Sequence, residues 1–311
     1  MSAPMTPDQL HVVSVISNPV RYKSRARLFA ANQDHQAEAC VTRWVIEATF
    51  GDRPPEVADA GNPNHIIVRC DHELWLKEAM INAAAKRIPA DAKYIMWQDA
   101  DIEFVRPDWA TETIQALQHY RVVQPFSHAI DLGPDGEVID SHHGFAYEYE
   151  RGSQPMDLKY PFMHPGFCWA WRREAFDRMG GLIDRALCGA GDHHMALSLI
   201  GQGHKSLPGG IHPNYAAMVL DWQARAEQVV QRDIGHVPGT ILHYFHGWKP
   251  DRQYQSRWSI LTSEGYDPQV DVIMDSQGML RLKGDKTGLR DKLRRYFRTR
   301  MEDGRRKSWP V

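Results

Sequence analysis

The chain has 311 residues, enough for one large α/β domain or one domain with an appendage. Hydrophobic residues make up 42% and charged residues 24%, which excludes a disordered or fibrous chain. The formal charge of −2 hides an asymmetry: residues 281–307 hold twelve Lys/Arg against four Asp/Glu, a basic tail of net +8 on an acidic body of net −10.

From the N-terminus, His11 to Ser17 (HVVSVIS) is a β-branched run that reads as a first buried strand and ends at Asn18-Pro19. Lys23 to Phe50 has a helical composition, with Leu28, Phe29, Val41, Trp44, Val45 and Ala48 at helical spacings. Gly51 to Asn64 is a Pro-, Gly- and Asp-rich loop, and His65 to Cys70 is a second strand. Leu74 to Ile88 reads as a helix stopped by Pro89. Tyr94 to Gln98 (YIMWQ) is a third strand that runs directly into Asp99. Pro107 to Tyr120 is a helix with proline in its first turn, and Arg121 to Phe126 is a fourth strand. This alternation predicts an α/β fold with a largely parallel sheet and covering helices.

The second half is less regular. Asp131 to Tyr160 is polar and rich in Gly and Tyr, and suits a loop region facing an acceptor. Phe167 to Trp171 reads as a strand, Arg173 to Met179 as a short helix ended by Gly180-Gly181, and Asp192 to Ile200 as another helix. Thr240 to Phe245 is a late strand. From about Leu282 the basic tail is helical, with Leu289, Leu293, Tyr296 and Phe297 on one side. There are no internal repeats.

Cys40, Cys70, Cys168 and Cys188 form no CxxC pair, so no zinc knuckle or redox motif is present, and reduced thiols are expected. The N-terminus has no basic region followed by an apolar run, and no stretch approaches the roughly 18 apolar residues of a membrane span. The expectation is a soluble protein of the cytoplasm, or of the host cytoplasm if a bacteriophage encodes it.

Three constellations carry chemistry. Asp99-Ala100-Asp101 is the one Asp-x-Asp of the chain, at a strand's carboxyl end, where open α/β sheets bind ligands. Two carboxylates there repel unless a cation neutralises them, and Mg²⁺ or Mn²⁺ suits oxygen ligands and phosphates. A solvated acidic turn has the same pattern. In Gly180 to Met195 (GGLIDRALCGAGDHHM), Asp192 begins a helix beside glycines. It reads either as an N-cap or as a general base for an acceptor hydroxyl. In His243-Tyr244-Phe245-His246-Gly247-Trp248-Lys249, two histidines precede Lys249, Arg252 and Arg257. Imidazole suits Mn²⁺, and the cations suit a diphosphate. On a regular strand His243 and His246 face opposite sides, so both reach one metal only if the strand breaks near Gly247.

In this order the three features resemble the GT-A glycosyltransferases, over about Val12 to Arg257. The resemblance implies a three-layer α/β/α fold with a mixed, mostly parallel sheet. It implies a catalytic domain over 1–278, with a nucleotide-sugar half to about 130 and an acceptor half over 131–278, followed by the basic helical tail 279–311. Asp99, Asp101, His243 and His246 are the implied metal ligands, for Mn²⁺ or Mg²⁺, and Asp192 the implied catalytic base. Lys77-Glu78 and Asn82 look like the family's helix beside the nucleotide. Donor contacts are expected from Ser17, Asn18, Lys77, Asn82, Gln98, Lys249 and Arg252, and acceptor contacts from Trp169, Trp171, Gly191 and His193. The chain departs from the family where Gly191, rather than Glu, precedes Asp192.

The implied reaction is an inverting, metal-dependent transfer of a hexose from a nucleotide-diphosphate sugar, with UDP favoured, to an acceptor hydroxyl. The chain also resembles bacteriophage glycosyltransferases that modify hydroxymethylated pyrimidines of DNA. The tail, which interleaves Tyr296 and Phe297 with Arg and Lys, suits nucleic acid, an anionic membrane or plain solvation. Stacking on a flipped base is expected from Tyr147 to Tyr160 and from Trp169 and Trp171. The alternatives are transfer to glycan, lipid or protein, a metal-dependent hydrolase or nuclease, and a non-catalytic nucleotide binder.

Overall fold

The structure, a computed structural model, describes residues 9–36, 39–153 and 163–304. In chain order come β1 (Leu10–Ser17), α1 (Lys23–His35), β2 (Val41–Phe50), β3 (His65–Cys70), α2 (Lys77–Ala85), β4 (Tyr94–Gln98) and β5 (Ile102–Phe104). Next are α3 (Trp109–His119), β6 (Val122–Gln124), β7 (His128–Leu132), β8 (Val138–His143), α4 (Phe145–Glu150), β9 (Cys168–Arg172) and α5 (Arg173–Met179). The chain continues through α6 (Gly191–Leu199), α7 (Pro213–Val229), β10 (Ile234–His236), β11 (Thr240–His243), α8 (Trp258–Ser263), β12 (Val272–Met274), β13 (Leu280–Leu282) and α9 (Thr287–Thr299).

The central sheet has seven strands in the order β10-β6-β9-β4-β1-β2-β3. Every neighbouring pair is parallel except the two made by β9, which runs antiparallel between β4 and β6. The expected α/β fold with a mixed, mostly parallel sheet is what the chain adopts. Strand alternation divides the sheet's two faces. On β4, Ile95 and Trp97 join the large core under α2, α5, α6 and α7, while Met96 joins the opposite core with Trp109 and Leu117 of α3. Each such fully buried side chain contributes about 1.5–3 kcal/mol. A second sheet, β5-β11-β7-β8, stands beside the first.

Two expectations change here. Lys23 to Phe50 is not one helix: α1 ends at His35, and β2 is a core strand between β1 and β3. Val41, Trp44 and Val45 fit a helical spacing by coincidence. The β-branched and aromatic content of VTRWVIEATF, buried on both faces, decides for strand. The described part of Asp131 to Tyr160 is not mainly loop, because the end of β7, β8 and α4 occupy most of it, and residues 154–162 lie outside the described residues. The helix α7 was not expected at all, although Tyr215, Val219, Trp222, Ala226 and Val229 are buried at helical spacing. His212 caps it, accepting from the Asn214 N–H at 3.2 Å, and Pro213 fills its first turn.

The described part of the basic tail is packed into the body. Leu289, Leu293 and Tyr296 of α9 belong to the main core and are at most 1% exposed. Beyond α9, Asp303 accepts from the Lys23 and Ser24 N–H groups at 2.9 and 2.8 Å and so caps α1. No described helix is long and apolar enough to cross a membrane.

Candidate active site

A cavity of about 1990 Å³ opens at the carboxyl ends of β1 and β4. It is lined by Asp99, Asp101, Asp192, His243 and His246, and by basic groups from both ends of the chain.

Strand pairing builds its centre. The antiparallel register of β5 and β11 sets Ile102 opposite His243, and the Tyr244 N–H donates to the Asp101 carbonyl at 2.8 Å. Asp101 thereby meets the end of β11. That strand stops at His243, so the alternation of sides ends and His246 comes to the same side as His243; Gly247 beyond it takes φ +98°. A Cβ on Gly247 would stand 2.9 Å from the Arg300 carbonyl oxygen.

His246 Nε2 lies 3.0 Å from Asp101 Oδ2 and 3.1 Å from His243 Nε2, and His243 Nε2 lies 3.8 Å from Asp101 Oδ1. His243 Nδ1 faces Asp131 Oδ1 at 2.8 Å, and Arg252 donates to His246 Nε2 at 2.7 Å. This network assigns a lone pair to both Nε2 atoms. Three acceptors therefore face one point, and Asp101 Oδ1 is buried with no hydrogen bond. A cation there would satisfy Asp101 and His243 and would replace the Arg252 N–H at His246 Nε2. The carboxylate behind His243 is the usual outer support of a metal-binding imidazole. Burial opposes the charge on Asp101, but His246, His243 and Arg252 outweigh it and hold the carboxyl well below its usual range. Burial, then Arg252, pushes His246 down to about 4 and keeps it neutral.

Asp99 does not join this group. Its carboxylate pairs with the Lys77 ammonium, so the cation that relieves the Asp-x-Asp repulsion at this member is a lysine. A second cluster, Asp131, Asp140 and His142, is also occupied by an ammonium: Lys249 Nζ lies 2.7 Å from Asp131 and 2.6 Å from Asp140.

Four buried or half-buried guanidinium groups complete the wall. Arg25 and Arg300 share Glu302, with contacts of 2.6 Å each, and Arg300 stacks over Trp75. Arg252 and Arg257 each keep a buried Nε without a partner. Sequence reading missed Arg25, Arg300 and Asp131, which reach the cavity or the ligands from remote elements.

Asp192 lines the same cavity and acts electrostatically on Lys77 and Asp99. It is in the first turn of α6, which follows Ala190 in the left-handed region, and its Oδ1 accepts from the His193 N–H at 2.8 Å. A Cβ on Gly166 would lie 2.7 Å from Asp192 Oδ2.

The remaining expected residues divide. Ser17, Lys77, Lys249, Arg252 and His193 line the cavity. Asn18 does not: it holds the Tyr22 turn and Glu56. Asn82 holds Leu182 and Asp184 behind the cavity, and Gln98 is buried against Asn32. Trp169 and Trp171 are core residues, 3% and 1% exposed, packed against Phe145, Trp97 and Trp222. Inward residues of a central strand have no route to a ligand. The indoles that do line the cavity are Trp75, Trp248 and Trp258. Tyr147 packs among His128, His143 and His236 away from it.

No family model and no curated protein matches the chain. Solved structures do. Drosophila β-1,4-galactosyltransferase 7, in a complex with manganese, UDP-Gal and xylobiose, is 10% identical, with 92% of this chain and 98% of that one covered and a TM-score of 0.40. Residues 1–349 of S. aureus TarS with UDP-GlcNAc are 10% identical, covering 78% and 60%, at 0.41. A 4-diphosphocytidyl-2C-methyl-D-erythritol synthase from Anaerococcus prevotii is 10% identical, covering 75% and 88%, at 0.36. The likeness is one of outline. This chain's own residues carry its functional reading.

Proposed function

We propose that the protein is a metal-dependent glycosyltransferase of the GT-A kind, which transfers a hexose from a nucleotide-diphosphate sugar to an acceptor hydroxyl with inversion. The observation that carries this is the clustering of Asp101, His243 and His246, whose ligand atoms lie close together in a cavity that Asp192 and the unpartnered Nε groups of Arg252 and Arg257 also line.

The donor set of one carboxylate and two imidazoles fits Mn²⁺, and Mg²⁺ less well. A divalent ion held there supplies charge neutralisation for the departing diphosphate. Arg252 and Arg257 offer free N–H groups to the same phosphates. The Lys77 ammonium pairs with Asp99 and opposes the rise in proton affinity that burial causes, leaving that carboxyl for the donor sugar. Asp192 accepts the proton of the attacking hydroxyl from the far side of the anomeric carbon. UDP is the first nucleotide to try.

The acceptor classes in question are glycan, lipid or protein hydroxyls and a hydroxymethylated pyrimidine of DNA. The tail was the argument for DNA. Among the described residues, four of its cations instead pair with the body: Arg298 and Glu73 lie 2.6 Å apart, Lys292 and Glu264 2.5 Å, Lys286 and Asp271 2.8 Å, and Arg281 and Asp71 2.9 Å. That weakens the DNA reading. The hydrolase alternative gains little from the second acidic cluster, because Lys249 already neutralises it.

The test is a thermal-shift and calorimetric screen of UDP, GDP and ADP with and without Mn²⁺, followed by release of UDP from UDP-hexoses. Binding at 100 times Kd stabilises by about 2.7 kcal/mol. Absence of metal-dependent nucleotide binding would refute the proposal. Cleavage of DNA without a nucleotide-sugar would favour the hydrolase.

A further inference from the structure

One carboxyl in the cavity has no part in the reaction above. Glu78 of α2 is 4% exposed and lines the cavity next to Lys77. Trp75 Nε1 donates to its Oε2 at 3.1 Å. The Lys77 ammonium beside it is committed to Asp99. The Glu78 carboxyl reaches toward the start of α6, where a Cβ on Gly191 would stand 2.5 Å from Oε1 and 2.7 Å from Cδ. A side chain at position 191 would therefore displace Glu78. The next residue is Asp192, whose carboxylate lies against Gly166. Two glycines thus leave room for two carboxyls on one wall.

Burying a carboxyl beside another is costly without a matched cation. Burial first, and Asp192 next, raises the affinity of Glu78 for a proton against the pull of Lys77, and its carboxyl is pushed up to about 7. The charged or titratable groups around the pair are Lys77 on the same helix, Asp99 after β4, His193 on α6, Arg257 ahead of α8 and Tyr215 on α7. A carboxyl whose proton affinity is raised beside a second carboxyl is a recurrent arrangement for acid–base work.

We propose that Glu78 is a positioning residue for Asp192, a second carboxyl of the acceptor wall that occupies the space left by Gly191 and orients Asp192 and the attacking hydroxyl. This rests on the glycosyltransferase reading. It gives the acceptor side two acidic groups, which favours a neutral hydroxylic acceptor over a polyanion.

The experiment uses the full chain, water as the acceptor, and Mn²⁺-dependent hydrolysis of a UDP-hexose from about pH 5.5 to 8.5. Carboxyl ¹³C NMR titration of the same protein without metal runs beside it, with Glu78 assigned by difference from Glu78→Gln. The wild-type rate is expected to fall as pH rises through about 7, where Glu78 ionises next to Asp192. Glu78→Gln is expected to bind Mn²⁺ and UDP as wild type does, and to lose that fall. The Glu78 titration is expected to drop by about one unit in Asp192→Asn. A Glu78→Gln profile of unchanged shape, whether or not scaled, would mean a structural role and overturn the proposal. So would a Glu78 titration that ignores Asp192→Asn. That second result needs no donor, so it decides the carboxyl pair even if UDP binding fails and the glycosyltransferase reading falls.

Discussion

His246 Nε2 stands 3.0 Å from Asp101 Oδ2, and the two residues reach that distance only because β11 pairs with β5. The relationship joins the loop after β4 to the loop after β11, and it makes the candidate metal site a product of the second sheet. Asp101→Asn and His246→Ala are each expected to weaken Mn²⁺ binding at least about 100-fold. Asp131→Asn, which meets the ligand set at the outer nitrogen of His243 and otherwise touches His142 and Lys249, is expected to weaken it about 10–100-fold. Isothermal titration with Mn²⁺ reads all three, and full affinity in Asp101→Asn would remove the metal assignment.

Asp192→Asn is expected to slow UDP-hexose hydrolysis about 10²–10⁴-fold while Mn²⁺ and UDP still bind. Early ¹H NMR spectra of the released sugar are expected to hold the anomer opposite to that of the donor. A retained anomer, or a rate near wild type in the variant, would count against Asp192 as the base.

Glu302 is 1% exposed and serves both Arg25 and Arg300. Glu302→Gln strands the buried Arg300 and the half-buried Arg25 guanidinium groups and is expected to cost about 3–5 kcal/mol, seen as a lower urea midpoint. Removing residues 281–311 takes out Leu289, Leu293 and Tyr296 from the core and is expected to unfold the protein. A deletion that stayed folded with an unchanged midpoint would contradict this packing.

Gly247→Ala adds a Cβ at φ +98° and 2.9 Å from a backbone oxygen. It is expected to cost about 1–3 kcal/mol and to weaken Mn²⁺ binding, since His246 is the preceding residue. Wild-type Mn²⁺ affinity in a destabilised variant would separate the turn from the site.

Stability without metal is expected to fall as the pH drops below about 6.5. Burial pushes His194 down to about 3; burial and then Arg252 push His246 down to about 4; burial and then His142 hold His164 well below its usual value. The unfolded chain protonates these rings near their ordinary value and the folded chain does not. The unfolded state therefore binds more protons in that window, and stability is lost on acidification, by roughly 1–2 kcal/mol per group at pH 5. Glu78 works in the opposite sense: its folded proton affinity is raised, so its contribution is present at low pH and lost as pH rises toward about 7. Urea titrations in EDTA at about pH 5 and pH 7 measure the sum. Equal midpoints would show that the rings are accessible to protons when folded.

Local pattern alone located β1, β3, β4, α5 and the stripe of α9, and it put Asp99-Ala100-Asp101 at a strand end and Asp192 at a helix start. Those features depend on neighbours in the chain, which composition and periodicity record. It read β2 as helix because spacing cannot separate the two states in a doubly buried strand. It also took Trp169 and Trp171 for ligand groups, because which side of a central strand is covered is decided by the elements packed on it. The partners across the chain belong to tertiary structure in the same way. The pairing of β5 with β11 selected Asp101 and both histidines for one point, and Lys77 took Asp99 away from it. The return of Glu302 to α1 turned an apparent basic appendage into a wall of the cavity. The sequence determined which chemical groups were present and on which local elements. Only the fold decided which of them face each other, because a charge or a lone pair acts over a few ångströms of space and not over a distance along the chain.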